Sequence, residues 1–372
     1  MPSRAAGRAA APQSRREVTQ AERSKPAPAK PEPGNQGWAP RASAVRASVP
    51  AAAIKSGPVG ELEPMSAIVV ANPDGFAPTR QLHDELAKAL PSGTRLVVLQ
   101  GKDHDDAWHG AAPKGSLALK TSADSPWARD FAPTFVRTRE GKLQAVEFKY
   151  GYAGADDVAS KMAKKLGVPV ISSPLKVEGG NLLADKGRLF VTDKLLETNK
   201  GMTRAQVETE LKRALQLDTI EWMKPLPNEP TGHVDMYAKL IAPNTMLVSD
   251  TTVPAQKKVM DEAAARFKAL GYEVVRATNA PTQAAAGDPQ VRSYANALVI
   301  NGTAFVPQYK SQSDDAKLGK AVTAADKKAL EAYASAGLKT VPVHADELIN
   351  FQGSVHCMTN ALPAEVDPSK LR

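Results

Sequence analysis

The chain has 372 residues, 42% of them hydrophobic but only 5% aromatic, and carries a formal net charge of +8. That length suits one large domain or two small ones. A basic balance can mark a nucleic-acid partner, but ten Lys/Arg against three Asp/Glu fall in residues 1–60 and 38 against 37 in the remainder, and this nearly neutral body excludes nucleic acid as the expected partner.

Residues 1–60 are rich in Ala, Pro, Arg and Ser and show no apolar period. Such a segment cannot bury enough apolar surface to offset the entropy of ordering it, so it reads as a disordered basic tail, with residues 61–372 as the folded body. It has no apolar core of a secretory signal, and a cytoplasmic location is the expectation. No run of about eighteen apolar residues exists to span a membrane. Oligomeric state is left open.

From Ser66 onward, strand-like and helix-like patterns alternate. Ala67–Ala71 is a short apolar run ending at Asn72-Pro73, a buried strand and turn. Leu82, Leu86 and Leu90 give 79–90 a helical spacing, and 95–100 reads as a strand. Residues 156–166 form an amphipathic helix, followed by a strand over 168–172. The strands 182–184 and 189–192 flank Asp185-Lys186-Gly187, a hairpin signal. A second pair, 233–241 and 246–249, is joined through Pro243-Asn244. Pro254 opens a long helix to Leu270, and 272–276 is a strand. The segments 294–300 and 304–308 flank Asn301-Gly302, which demands a type I′ turn. A helix over 324–336 and a strand over 340–343 complete the pattern. The recurring order is hairpin, helix, strand. No glycine fingerprint follows the first strand, which counts against a dinucleotide-binding fold.

Cys357, the sole cysteine, lies in Ser354-Val355-His356-Cys357-Met358-Thr359. A lone cysteine is more often core filler than nucleophile. Three other segments shift that balance: Trp127-Ala128-Arg129-Asp130, Glu178-Gly179-Gly180-Asn181 and Gly232-His233-Val234-Asp235. His233 and Asp235, two apart in an expected strand, would leave one face and could act as an acid/base and binding pair. A thiol, an imidazole and the carboxylates of Asp130, Glu178 and Asp235 make a poor generic nucleophile site, because three acids raise a thiol's pKa. The set becomes sensible if the substrate brings a guanidinium, which is planar, always charged and binds carboxylates in pairs. No metal and no organic cofactor is expected, since metal sites need three or four ligands at suitable spacing. Asp103-His104-Asp105-Asp106 with His109 reads as a solvated polar loop. Tyr150 and Tyr152 share a face that suits either a channel wall or strand packing, and His356 should point away from the thiol.

These four segments, in this order, resemble the guanidine-modifying (pentein) superfamily, in its branch of agmatine deiminases and Porphyromonas-type peptidylarginine deiminases. The similarity runs from about 67 to 363. It implies an α/β pentein fold, a pseudo-fivefold fan of ββαβ modules around a central active-site channel, and a single catalytic domain over 61–372. It implies that Cys357 is the nucleophile, that His233 handles protons, that Asp130 and Asp235 grip the guanidinium, and that Glu178, Asn296 and Trp127 accompany the site. The implied reaction is hydrolytic deimination of agmatine, arginine or peptidylarginine through a covalent Cys-thiouronium. An amidinotransferase of the same fold and a catalytically silent guanidinium-binding protein are the alternatives. The chain departs from the agmatine deiminase pattern at Phe351-Gln352-Gly353-Ser354, at Asn360-Ala361 and at Tyr150-Gly151-Tyr152-Ala153-Gly154, and Lys149 is the one basic residue of 149–160.

Overall fold

A computed structural model describes residues 56–72, 79–101, 112–151, 155–282, 291–309 and 315–372. The described residues of the body form five sheets. Strands are numbered in chain order: β1 57–58, β2 65–72, β3 95–100, β4 117–120, β5 134–137, β6 143–149, β7 170–176, β8 183–185, β9 188–192, β10 219–223, β11 238–242, β12 245–250, β13 273–278, β14 298–300, β15 303–308, β16 339–344 and β17 359–363.

Each sheet repeats one unit. An antiparallel pair is followed by a helix and then by a strand parallel to the second member of the pair. The units are β5-β6-β7, β8-β9-β10, β11-β12-β13 and β14-β15-β16. The fifth unit draws on both ends of the body: β17 pairs antiparallel with β2, and β2 pairs parallel with β3 across the helix 79–88. The last strand thus closes the set of five on the first, as the expected ββαβ fan requires.

Local chemistry explains the units. Asn301 and Gly302 both take positive φ, 46° and 73°, as a type I′ turn between β14 and β15 needs. The helix 204–215 begins at a capping box between Thr203 and Gln206 and buries Val207, Leu211, Ala214 and Leu215 on one face. Each such leucine, fully withdrawn from water, stabilises the fold by about 1.5–3 kcal/mol. No described helix is long and apolar enough to cross a membrane.

Four sequence expectations change. Residues 233–237 are not strand: His233 is extended and 234–236 form a 3-10 turn before β11 begins at Ala238. Residues 294–297 precede β14 rather than belonging to it, and the helix expected over 324–336 runs from 316 to 335. Of the residues assigned to the tail, Gly57 and Pro58 pair with β5 and Val59 N–H donates to Phe135 O at 2.9 Å. Residues 1–55, Asp103 to Asp106, His109 and Tyr152 lie outside the described residues.

Candidate active site

The segments singled out in the sequence meet at the start of β17. Cys357 sits in a turn two residues before that strand, not in a strand itself. Its carbonyl accepts the Arg129 N–H at 3.1 Å, which fixes the helical turn 128–131 beside it. The Trp127 ring covers the backbone at Gly353 so closely that a Cβ there would lie 2.2 Å from Cζ3. Asn181 joins the glycine turn to the histidine turn, because its Oδ1 accepts from Thr192 N at 3.0 Å and Val234 N at 3.3 Å.

Around the thiol, the polar atoms have definite partners. Asn296 donates Nδ2–H to Cys357 Sγ at 3.2 Å, and its Oδ1 accepts the Cys357 N–H at 3.3 Å and the His356 N–H at 3.1 Å. Asp235 Oδ2 lies 3.7 Å from Sγ. His233 Nε2 is 2.7 Å from Glu178 Oε2, and its Nδ1 is 3.9 Å from Asp130 Oδ1. Asp130 Oδ1 in turn accepts the Gly180 N–H at 2.9 Å. A cavity of about 360 Å³ opens here, lined among others by Trp127, Asp130, Glu178, His233, Gly353 and Cys357. An adjoining space of about 290 Å³ shares Tyr150, Glu178, Lys194 and His233 and adds Lys176.

All seven residues expected to build the site therefore do stand together. His233 and Asp235 reach it from a 3-10 turn instead of from one face of a strand, and the turn bends both side chains toward Gly180. His356 Nδ1 is 2.7 Å from Asp235 Oδ2, the same oxygen that lies 3.7 Å from Sγ. Tyr150 lines the cavity and also bonds Ser125 at 3.1 Å.

Sequence reasoning missed Glu61 and Lys239. They are paired with each other, and Glu61 reaches His356. A lysine inside the apolar strand β11, 1% exposed, is the signal that could have found them, because a buried lysine needs a partner.

The electrostatics follow from burial and neighbours. Burial, then Asp235 and Asp130, pushes the Cys357 thiol well above its ordinary range, so without a bound cation it is protonated. Burial opposes charge on His233, but Asp130 and the Glu178 hydrogen bond outweigh it and push the imidazole up to about 9. Asp130 is pushed up to about 7, chiefly by burial. Asp235 is buried too, yet its bond to His356 and that ring's charge hold it below the usual carboxylate range. Asp235 Oδ1 and His233 Nδ1 are buried polar atoms with no hydrogen-bond partner among the described residues, and His233 Nδ1, Asp235 Oδ2 and Asp130 Oδ1 converge near Gly180. An arrangement of this kind suits a flat cation that donates several hydrogen bonds, set beside a thiol and an imidazolium.

Comparison with known proteins agrees with the geometry. The profile of the family described as Porphyromonas-type peptidyl-arginine deiminase matches residues 60–363. The agmatine deiminase of Pseudomonas putida (strain KT2440) is 24% identical over 338 residues, which is 78% of this chain and 89% of that protein. Among solved structures, the agmatine deiminase of C. jejuni superposes with a TM-score of 0.69 at 19% identity, covering 84% of this chain and 97% of that one. The Enterococcus faecalis agmatine deiminase gives a TM-score of 0.68 at 21% identity, covering 83% and 96%. The fold is that of the penteins.

Proposed function

This chain belongs to the Porphyromonas-type peptidyl-arginine deiminase family, and from that premise we propose that Cys357 and His233 carry out hydrolytic deimination of a guanidino group held between Asp130 and Asp235. The single observation that supports this most is the meeting of one thiol, one imidazole and two inward carboxylates around Gly180. The enzyme is a hydrolase of C–N bonds in linear amidines.

The chemistry follows from the charges. A bound guanidinium places one positive charge beside the two aspartates and offsets the like charge that keeps the thiol protonated. The thiol then loses its proton to solvent, and the thiolate attacks the guanidinium carbon to form a C–S bond while the C=N pair moves onto nitrogen. His233, protonated at neutral pH, gives its proton to the departing nitrogen, and the C–N bond breaks with loss of ammonia. The neutral imidazole takes a proton from water. The hydroxide adds to the carbon, the C–S bond breaks, the hydroxyl proton passes to sulfur to restore the thiol, and a ureido product leaves. Glu178 holds Nε2, which leaves Nδ1 as the ring atom facing the reacting carbon. Asn296 aims an N–H at Sγ and steadies the thiolate.

The substrate's far end is read from the outer space. Lys176 and Lys194 line it, Lys194 also pairing with Glu197 at 3.1 Å, and Glu178, the one acid among the described lining residues, is engaged with His233. An ammonium at that end meets like charge, whereas a carboxylate meets two cations. Arginine, free or at a peptide C-terminus, is therefore favoured over agmatine, by about 1–2 kcal/mol or roughly tenfold in kcat/KM. Ammonia and ureido product measured with agmatine, free arginine and a peptide ending in arginine test this. Agmatine turned over most efficiently would contradict it.

A further inference from the structure

Behind the thiol runs a second line of charge that the reaction steps do not use. His356 places Nδ1 2.7 Å from Asp235 Oδ2, and its Nε2 is hydrogen-bonded to Glu61 Oε1. Glu61 is paired with Lys239 and lies 3.4 Å from Arg129 Nη2. Signs alternate along this line: cation at Arg129 and Lys239, anion at Glu61, imidazole at His356, anion at Asp235, and then the thiol. The groups come from separate parts of the chain: the stretch between β1 and β2, the turn 128–131, the turn 234–236, β11, and the turn before β17.

The geometry sets the state of His356. A neutral imidazole carries one N–H and can donate to one carboxylate only; flanked by two ionised carboxylates, it satisfies both only as an imidazolium. Lys239, His356 and Arg129 hold Glu61 well below the carboxylate range although burial opposes them. Asp235 is also held low, and it faces His233, Lys239 and Cys357 besides His356. Asp130 provides the contrast. Its nearest imidazole, His233, stands 3.9 Å from Oδ1 rather than in hydrogen-bond contact, and burial pushes the Asp130 carboxyl up to about 7.

We propose that Glu61 and His356 are positioning residues for this reaction: Glu61 keeps His356 an imidazolium donating from both ring nitrogens, and that ring holds Asp235 through Oδ2, the oxygen beside the thiol and Gly180, so that the carboxylate stays ionised and oriented to receive the guanidinium. The proposal rests on the reading of Asp235 as a guanidinium clamp. It adds a residue from the start of the body, far from the four motifs, to the machinery of the site.

The ring's state is tested apart from activity. In full-length protein labelled with 15N-histidine, near neutral pH, one imidazolium signal should disappear in His356→Gln and convert to a singly protonated ring in Glu61→Gln. The same Glu61→Gln enzyme should lose about ten- to a hundredfold in kcat/KM. A second acid-side loss of kcat/KM, at lower pH than the limb set by Asp130, should move upward by about one pH unit, because Asp235 then binds a proton more readily. Since Glu61→Gln leaves Lys239 buried without a counter-charge, Glu61→Gln/Lys239→Met serves as the second variant, with the melting temperature confirming the fold. It should show the same shift. A singly protonated His356 in the wild type would overturn the proposal whatever the activity. An imidazolium in the wild type with an unmoved pH profile in both variants would overturn the positioning role. A wild type that carries the imidazolium and deiminates nothing would overturn the functional reading, and the positioning role with it, while the ring's state would stand.

Discussion

Gly180 donates its N–H to Asp130 Oδ1 at 2.9 Å, and this contact is possible only because residue 180 has no side chain. A Cβ there would come to 2.6 Å from His233 Nδ1, 3.0 Å from Asp235 Oδ2 and 3.1 Å from Asp130 Oδ1. Gly180→Ala should therefore lower kcat/KM on arginine by about a hundredfold or more while costing about 1–3 kcal/mol of stability. Steady-state kinetics beside a denaturant titration checks both. Undiminished kcat/KM would mean the three polar atoms do not enclose the reacting group.

Asp130→Asn and Asp235→Asn each remove one charge-assisted contact to the guanidinium, at a cost of about 1.5–3 kcal/mol or more. Losses of at least tenfold in kcat/KM are expected for each, and Asp235→Asn should also weaken the hold on His356. The account of the clamp fails if both variants match the wild type on every guanidino compound.

The pH dependence has a definite sign. Asp130, pushed up to about 7, must be ionised to grip the substrate, so kcat/KM should rise as pH increases through 7. His233, raised from 6.5 to about 9, must be protonated to release ammonia, so kcat/KM should fall as pH increases through 9. Stability linked to His233 has the same alkaline sign: it is fully present below 6.5 and is lost as pH rises through about 9. A profile that stayed flat from pH 9 down to pH 5, with no acid limb near neutrality, would contradict the assignment of Asp130.

Removal of residues 1–55 should leave kcat/KM and melting temperature essentially unchanged, since their composition offers no apolar face to pack. Removal of 1–63 takes away β1, with its pairing to β5, and Glu61, with its bonds to His356 and Lys239. That longer truncation should abolish activity and lower the melting temperature by several degrees. Equal behaviour of the two truncated proteins would show that Glu61 and β1 contribute nothing.

The sequence discloses the fold because each unit carries its own turn chemistry. Asn301-Gly302 and Lys186-Gly187 occupy the positive φ values that their tight turns require, and Pro254 opens its helix at the first turn. It also discloses the site's chemical content, since Cys357, His233 and three acids make sense only with a cationic substrate. What it conceals is geometry set by distant partners. The alternation around His233 and Asp235 fits a strand equally well, and the turn becomes evident only from the docking of Asn181 onto Val234 N and the return of Tyr237 N–H to Val234 O at 3.1 Å. Glu61 lies in an aperiodic stretch, and its partners are 178 to 295 positions away for Lys239 and His356. No local pattern can announce pairings of that range.

The central claim is that Cys357 attacks a guanidinium carbon and passes through a covalent adduct. The most direct measurement is rapid acid quenching of enzyme and arginine during the first turnovers, followed by mass spectrometry of the peptide containing Cys357 alongside an assay of ammonia and citrulline. The account predicts a transient mass increase confined to that peptide, equal release of ammonia and ureido product, and neither in Cys357→Ala. Ureido product formed at the wild-type rate by Cys357→Ala, or steady turnover with no adduct on Cys357 at any time, would contradict it.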